Sequence, residues 1–509
     1  MSSSAPECDY DVVVIGAGLG GLTSAGLLAN RGLRVGVFEQ APRIGGCCGS
    51  VQSGDYQFDV GATLVLFLGV IERYFTSIER SMSDYIDFLP IDPLLQVVDN
   101  EKRRFAVPTS VDETGKVFGE ICAASGEGWK RYAEEASSGL LSSMADLFAV
   151  PMQNFQDARK IAEDPSSPSG SAPPMLQSFE STLRSFFKHD SILGAFSHSS
   201  YSVGLPPALA PGYAAFLNYS EHDGAYYPRG GMKALPEGIA RALKEDGGEI
   251  HLGARVESVL TQGRKAIGVR LADGREVRAR VVIGDINVKA LYGEMLPKDR
   301  VPLWARLALS SLKLSQSSVM LMLGIEGDEG FDAQNTMFTQ GLEPMNRIWF
   351  DDYERGCPSQ GGYLFASVPS FTDPSLAPPG HHVVHLHTLA PYNLAGGRNW
   401  DDIRDEEAER ILNFLEADFG LFLRDRIRCM RLSTPVDLER DVGLFRGALY
   451  DLESGPLSTS MFRPRMRSSL LDHLYLTGAS VHLGGGIPTC IGSGIIAADM
   501  VTEDWDRES

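Results

Sequence analysis

The sequence predicts an α/β fold, a doubly wound parallel-sheet domain that carries an inserted α+β domain. Three observations predict it. An apolar, β-branched run up to Ile15 opens directly into the turn Gly16-Ala17-Gly18-Leu19-Gly20-Gly21. A helical pattern and a second strand follow at once, which makes a βαβ unit. The far end of the chain is again glycine-rich, with a short strand leading into Gly478 to Gly494.

Taken in order, Asp11 to Ile15 reads Asp-Val-Val-Val-Ile, the composition of a strand buried on both faces. The helix runs from Leu22 to Asn30, with Gly32 as its stop, and the second strand spans Arg34 to Phe38 and ends in Glu39. From about Val111 to Ser220 the chain reads as helical stretches broken by loops, with a low-complexity loop at Asp164 to Pro174. A helix is expected at Ala234 to Glu245. Strands follow at Glu249 to Leu252, Arg255 to Leu260, Ala266 to Leu271 and Val277 to Ile283, with Asp273-Gly274 as a hairpin turn. Leu303 to about Arg465 mixes both patterns. A last strand at Leu474 to Thr477 and a helix through Met500 close the chain.

Composition narrows the function. Among 509 residues, 43% are hydrophobic and 22% charged, which excludes a disordered or fibrous chain. A net charge of −20 argues against a nucleic-acid protein. Seven cysteines are too few for a disulfide framework, and the adjacent Cys47 and Cys48 read first as two small buried apolar groups. No run of 18 apolar residues exists and the first residues lack a signal-peptide pattern, so a reducing cytoplasmic compartment is expected. His381, His385 and His387 alternate like one face of a strand, and no metal is expected there.

The glycines carry the chemistry. Gly16 permits the tight turn, Gly18 lets the backbone approach a pyrophosphate, and Gly21 allows close helix–strand packing, the Rossmann-like pattern. The helix start then offers N–H groups and a positive dipole end to phosphates. Glu39 stands 18 residues after Gly21, where a carboxylate can accept hydrogen bonds from a ribose diol. Gly45-Gly46 suggests backbone pressed against more of an adenine dinucleotide. Arg43 reads equally as a ribose or phosphate contact and as a solvated surface residue. At the other end, Gly484 to Gly486 and Gly492 to Gly494 bracket a helix start whose N–H groups and dipole favour negative charge.

These residues resemble a known family. Val12 to Thr63, with Glu39, Gly45-Gly46 and Phe58-Asp59-Val60-Gly61-Ala62, is similar to the N-terminus of the carotenoid (phytoene) desaturases, members of the FAD-dependent amine-oxidase-like flavoproteins. Tyr227 to Leu260 resembles their Pro-Arg-Gly-Gly segment and the strand after it. Leu474 to Met500 resembles their C-terminal flavin motif. The resemblance implies FAD, held by Gly16, Gly18, Leu19, Gly20, Gly21, Glu39, Gln40, Arg43, Gly45, Gly46, Gly61, Ala62, Thr63, Val256, Gly478, Gly486, Ile487 and Pro488. It implies an FAD domain of residues 10–95, 226–300 and 465–509, with a substrate domain of 96–225 and 301–464 inserted.

The implied activity is removal of hydrogen from a long apolar polyene or isoprenoid, with hydride passing to the flavin; the electron acceptor stays open between oxygen, a quinone and others. Where the desaturases show Gly-Gly-Arg, this chain has Gly45-Gly46-Cys47-Cys48, more like the retinol saturase and carotenoid isomerase branch. That leaves saturation or isomerisation with reduced flavin open beside desaturation, and a flavin amine oxidase is the alternative class. No catalytic acid or base follows from the spacing.

A charge-free stretch from Ser191 to Ser220 holds Phe216, Leu217 and three prolines. It is either an irregular core segment or the wall and mouth of an apolar tunnel reached from a membrane surface, so a peripheral membrane contact is expected.

Overall fold

The computed structural model describes residues 8–138, 148, 177–455, 458–459 and 462–508. The low-complexity loop at 164–174 lies outside the described residues.

The first sheet is entered three times by the chain. Its strand order is Val256–Gln262, Lys265–Leu271, Glu276–Gly284, Tyr10–Ile15, Val35–Phe38 and Glu249–His251, with Leu474–Leu476 also paired to Glu276–Gly284. Tyr10–Ile15 lies parallel to both Val35–Phe38 and Glu276–Gly284. Lys265–Leu271 is antiparallel to both of its neighbours, so that corner is a meander. Val12, Val13 and Val14 are completely buried, because helices cover both faces of a parallel sheet.

The helix Leu19–Asn30 is buried from Leu19 to Ala29. It packs against Ala234–Glu245 and against the C-terminal helix Ile487–Glu508. A Cβ at Gly494 would sit 2.6 Å from the Gly20 carbonyl oxygen, so the first and last helices cross with their backbones almost touching. Past the helix end, Gly32 N–H donates to Ala29 O at 2.9 Å and Leu33 N–H to Leu28 O at 3.1 Å. Gly32 takes the left-handed conformation that this C-terminal stop requires.

The second sheet has the order Ile427–Ser433, Ser317–Glu326, His381–Ala390, Tyr363–Ser367, Asn335–Thr339, Leu95–Asp99 and Arg104–Val107. All its pairings are antiparallel except Asn335–Thr339 with Leu95–Asp99. Helices Val111–Ile121, Ala123–Ser138, Phe179–Phe186 and Asp190–Ser197 enclose an aromatic core in which Trp129, Tyr132, Phe187 and Phe196 meet.

The charge-free stretch divides its work. Phe216 is 5% exposed and stacks on Tyr132 at 5.4 Å, so it belongs to that core and forms no mouth. Tyr201, Tyr213, Leu217 and Asn218 line an internal cavity.

Candidate functional site

A continuous cavity of about 1620 Å³ runs from the ends of the first sheet's strands to one face of the second sheet. Cavities for drug-sized ligands span roughly 300–1,000 Å³. This one has room for a long cofactor and a second molecule. At one end stand Glu39, Gln40, Arg43, Arg255 and Val256, and further in come Gly16, Gly18 and Leu19. Gly45, Gly46, Gly61, Ala62, Thr63, Gly486, Ile487 and Pro488 also line it, and the far wall carries Met320, Tyr363, Phe365, His387 and Leu389.

Three of the residues expected to touch the cofactor do not line the cavity: Gly20, Gly21 and Gly478. They are packing positions. A Cβ at Gly20 would lie 2.8 Å from the Gly478 nitrogen, one at Gly21 would lie 2.4 Å from the Gly16 carbonyl oxygen, and one at Gly478 would lie 2.1 Å from Asp285 Oδ1. Their smallness lets the helix settle onto the strand ends.

Gly16 turns the chain at the strand end with φ +96°, and a Cβ there would meet the Asp285 carbonyl oxygen at 2.6 Å. The first turn of the helix then presents backbone N–H groups. Gly21 N–H donates to Asp285 Oδ2 at 2.8 Å. Leu19 lines the cavity, and among the described residues no acceptor meets its N–H, which leaves it for an anion. Burial pushes Asp285 up to about 7, against the pull of the Gly21 N–H. This buried carboxyl beside the helix start is the residue that sequence reading missed. Its signal was there, one residue beyond the apolar strand Glu276–Gly284, at the carboxyl edge of a parallel sheet where ligands bind.

Glu39 accepts two backbone hydrogen bonds, from Ala17 N–H to Oε2 and from Ala41 N–H to Oε1, both at 2.8 Å. A carboxylate has about four acceptor sites, so each oxygen keeps capacity for a ribose hydroxyl. Arg43 is not a solvated surface residue. Its Nη2 donates to the Asp441 carbonyl at 2.7 Å, and the segment Leu438 to Phe445 that it holds forms a wall of the cavity. No local pattern in the sequence marks that wall.

The middle of the cavity is backed by a polar node. Asp59 accepts from Tyr227 Oη at 2.5 Å, Met232 N–H at 3.0 Å and Ser50 Oγ at 3.1 Å. Its own N–H donates to His385 Nε2 at 3.1 Å. Burial raises Asp59 to about 6 despite these partners. Burial, and then neighbouring His387, lower His385 to about 3, which keeps it the neutral acceptor that the Asp59 N–H requires. His381 instead bonds Tyr56 Oη through Nδ1 at 2.8 Å, so the alternating histidines serve packing and the cavity wall separately.

Cys47, Cys48 and Cys490 also line the cavity. Burial pushes Cys47 up to about 11 and the other two upward as well, so all three are thiols and behave as small apolar groups.

These features fit an adenine dinucleotide with a flavin: an acceptor carboxylate for ribose, unpartnered helix N–H groups for pyrophosphate, and a glycine-lined stretch up to Pro488 for a flat ring. Comparison with known proteins agrees. Residues 19–502 match the family of flavin containing amine oxidoreductases. A 4,4'-diapophytoene desaturase of Methylomonas is 26% identical over 97% of this chain and 95% of its own. A lycopene-forming phytoene desaturase of Pseudescherichia vulneris is 28% identical over 97% of this chain and 99% of its own. The crystal structure of an oxidoreductase from Methanosarcina mazei superposes with a TM-score of 0.62 at 18% identity, covering 96% of this chain and 99% of that one.

Proposed function

The chain belongs to the family of flavin containing amine oxidoreductases, and we propose from its similarity to diapophytoene and phytoene desaturases that it is a carotenoid desaturase-like enzyme acting on a long apolar polyene or isoprenoid. It is an FAD-dependent oxidoreductase. The observation that carries the reading is the continuity of the cavity. The strand ends and helix start that suit the dinucleotide open into the same space as the apolar residues Met320, Phe365, Tyr363, Leu389 and Leu217. A polyene offers no group for an acid or base to grip, so alignment against the cofactor and exclusion of water supply most of the catalysis. Bound FAD supplies the chemistry by accepting hydride from carbon.

This chain's residues hold and orient. Glu39 and Ala41 stand at the ribose end, Gly18 and Leu19 bring the helix start to the pyrophosphate, and Gly45, Gly46, Gly486, Ile487 and Pro488 border the ring. The Asp59 node fixes the backbone beside Gly61 and Ala62. In this reading residues 10–95, 226–300 and 465–509 form the FAD unit and 96–225 with 301–464 the substrate unit, which is supported by the separation of the two sheets.

The membrane contact is supported by one surface feature. Helix Leu303–Ser311 exposes Leu303 at 70%, Trp304 at 59% and Leu307 at 61%. Among the described residues no helix is long and apolar enough to cross a membrane, so the contact would be interfacial.

The test is anaerobic addition of phytoene in neutral micelles to the holoenzyme, followed by the flavin absorbance. Bleaching by phytoene and none by soluble amines is the expected outcome. Bleaching by amines alone would replace this reading with the amine oxidase. Reoxidation of pre-reduced flavin by a polyene would reverse the direction of the reaction.

A further inference from the structure

The charge-free stretch from Ser191 to Ser220 ends on a carboxyl. Glu221 is the first acidic or basic residue after Asp190, and it stands in the last turn of the 3₁₀ helix Gly212–Asp223. In such a helix residues three apart share a face. Leu217 falls above Ser220 and Asn218 above Glu221, and all four line the cavity. The chain then enters the strand Tyr226–Pro228, where Tyr226 and Val65 exchange backbone hydrogen bonds at 2.8 and 2.9 Å. The strand after Glu221 thus packs on the segment that carries the proposed cofactor contacts Gly61, Ala62 and Thr63.

Glu221 is unsatisfied and accessible at once. Among the described residues it has no hydrogen-bond or ion-pair partner for its carboxyl, and burial alone raises it, to about 7. Its oxygens are not sealed into the packing as the partnerless Gln316 Oε1 is, so they open onto the cavity that Glu221 lines. The groups around it do not compete. Burial, and then the Glu221 charge, raise Tyr132, which donates its phenol to Ala215 O at 2.7 Å. Burial keeps the adjacent His222 neutral, and the adjacent Asp223 is exposed. Other acceptors in the cavity are engaged or weak. Glu39, Asp285 and Asp451 already accept hydrogen bonds from protein groups. Burial lowers His198, and His387 to about 4, which makes both poor bases.

A polyene presents no acid until hydride has left it. The neighbouring carbon must then lose a proton, and in a cavity that excludes water a protein group has to take it. We propose that Glu221 is this catalytic base, accepting the proton from the carbon next to the one that gives up hydride. The chain loses one hydride to FAD and one proton to the Glu221 carboxylate, and the electron pair of the second C–H bond becomes the new double bond. The inference rests on the polyene reading and adds a chemical role to it.

The experiment mixes holoenzyme, kept saturated with FAD, anaerobically with phytoene in neutral micelles at pH 6, 7 and 8. Flavin absorbance gives the reduction rate constant at saturation and, from its concentration dependence, Kd. Wild type is expected to react faster as pH rises, because the base works as the carboxylate. It is also expected to bind phytoene more weakly, because an apolar chain then covers a charge. Glu221→Gln is expected to lower the rate constant about 100-fold, with its pH dependence gone, and to make Kd independent of pH. Glu221→Asp, which keeps the carboxyl, is expected to keep the pH dependence at an intermediate rate. A wild-type rate constant that does not change with pH would overturn the inference without any variant. An undiminished rate in Glu221→Gln would overturn it too, and a Kd that alone lost its pH dependence would make Glu221 a wall of the substrate path and no base. Absence of any reduction by phytoene in wild type would remove the polyene reading, and this inference with it.

Discussion

The Gly21 N–H donates to the Asp285 carboxylate at 2.8 Å, tying the first turn of the first helix to a strand end 264 residues further along the chain. The bond puts a titratable group in the cavity wall beside the N–H groups that suit a pyrophosphate.

Asp285 is expected to make FAD affinity pH-dependent. Its carboxyl is raised from 3.8 to about 7, so above that pH it is an anion beside the helix start proposed to hold the pyrophosphate. Bound FAD further favours the protonated form. Affinity therefore falls as pH rises above 7, with a ceiling of about tenfold per unit. The apoprotein follows the same sign. The contribution of a raised carboxyl is fully present below 3.8 and is lost as pH rises through about 7. Asp285→Asn is expected to flatten both profiles. FAD fluorescence quenching and melting curves at pH 6, 7 and 8 check this, and a pH-independent wild-type Kd would refute it.

Glu39 holds Ala17 and Ala41 as well as lining one end of the cavity. Glu39→Ala is expected to weaken FAD binding by about 1.5–3 kcal/mol, roughly 10- to 100-fold in Kd, and to lower apoprotein stability as well. Glu39→Gln keeps one acceptor oxygen and is expected to fall between. Wild-type FAD affinity in Glu39→Ala would show that this carboxylate does not touch the cofactor.

At the other end of the cavity, Gly486 has φ +133°, and a Cβ at Gly485 would sit 2.9 Å from Tyr450 backbone atoms. Gly486→Val and Gly485→Ala are expected to lower flavin occupancy or shift the flavin spectrum and potential, while far-ultraviolet circular dichroism is unchanged. Full occupancy with an unaltered spectrum in both would give the loop a purely structural role.

Leu303, Trp304 and Leu307 test the membrane contact. Wild type is expected to float with neutral liposomes, since binding draws on apolar area and the −20 charge opposes anionic headgroups. The triple change to Ser is expected to reduce flotation severalfold at unchanged flavin content. Equal flotation of the two proteins would exclude this helix as the contact.

What the sequence made legible follows from the range of the physics. Val12 to Val14 and Val281 to Ile283 are apolar because both faces of the sheet are covered, and such runs are visible locally. Glu39 was visible because the βαβ unit fixes its distance from Gly21. The bond from Asp59 to His385 spans 326 residues, and nothing near either residue announces the other. Arg43 was undecided because its partner is a backbone carbonyl, which leaves no mark in composition. Phe216 and Leu217 are neighbours with different fates, one in the aromatic core and one in the cavity wall, and an irregular segment has no periodicity to separate them.

The strand Leu474–Leu476 joins the first sheet beside Glu276–Gly284, and the last helix packs on the first. During synthesis the nucleotide turn therefore leaves the ribosome hundreds of residues before the surface that closes over it. Until then the face of Leu19–Asn30 that meets the last helix has no lasting cover, and such long-range closure is slow and exposed to aggregation. FAD capture is therefore expected only after Leu474–Leu476 and the helix Ile487–Glu508 have been made, however well the first half folds.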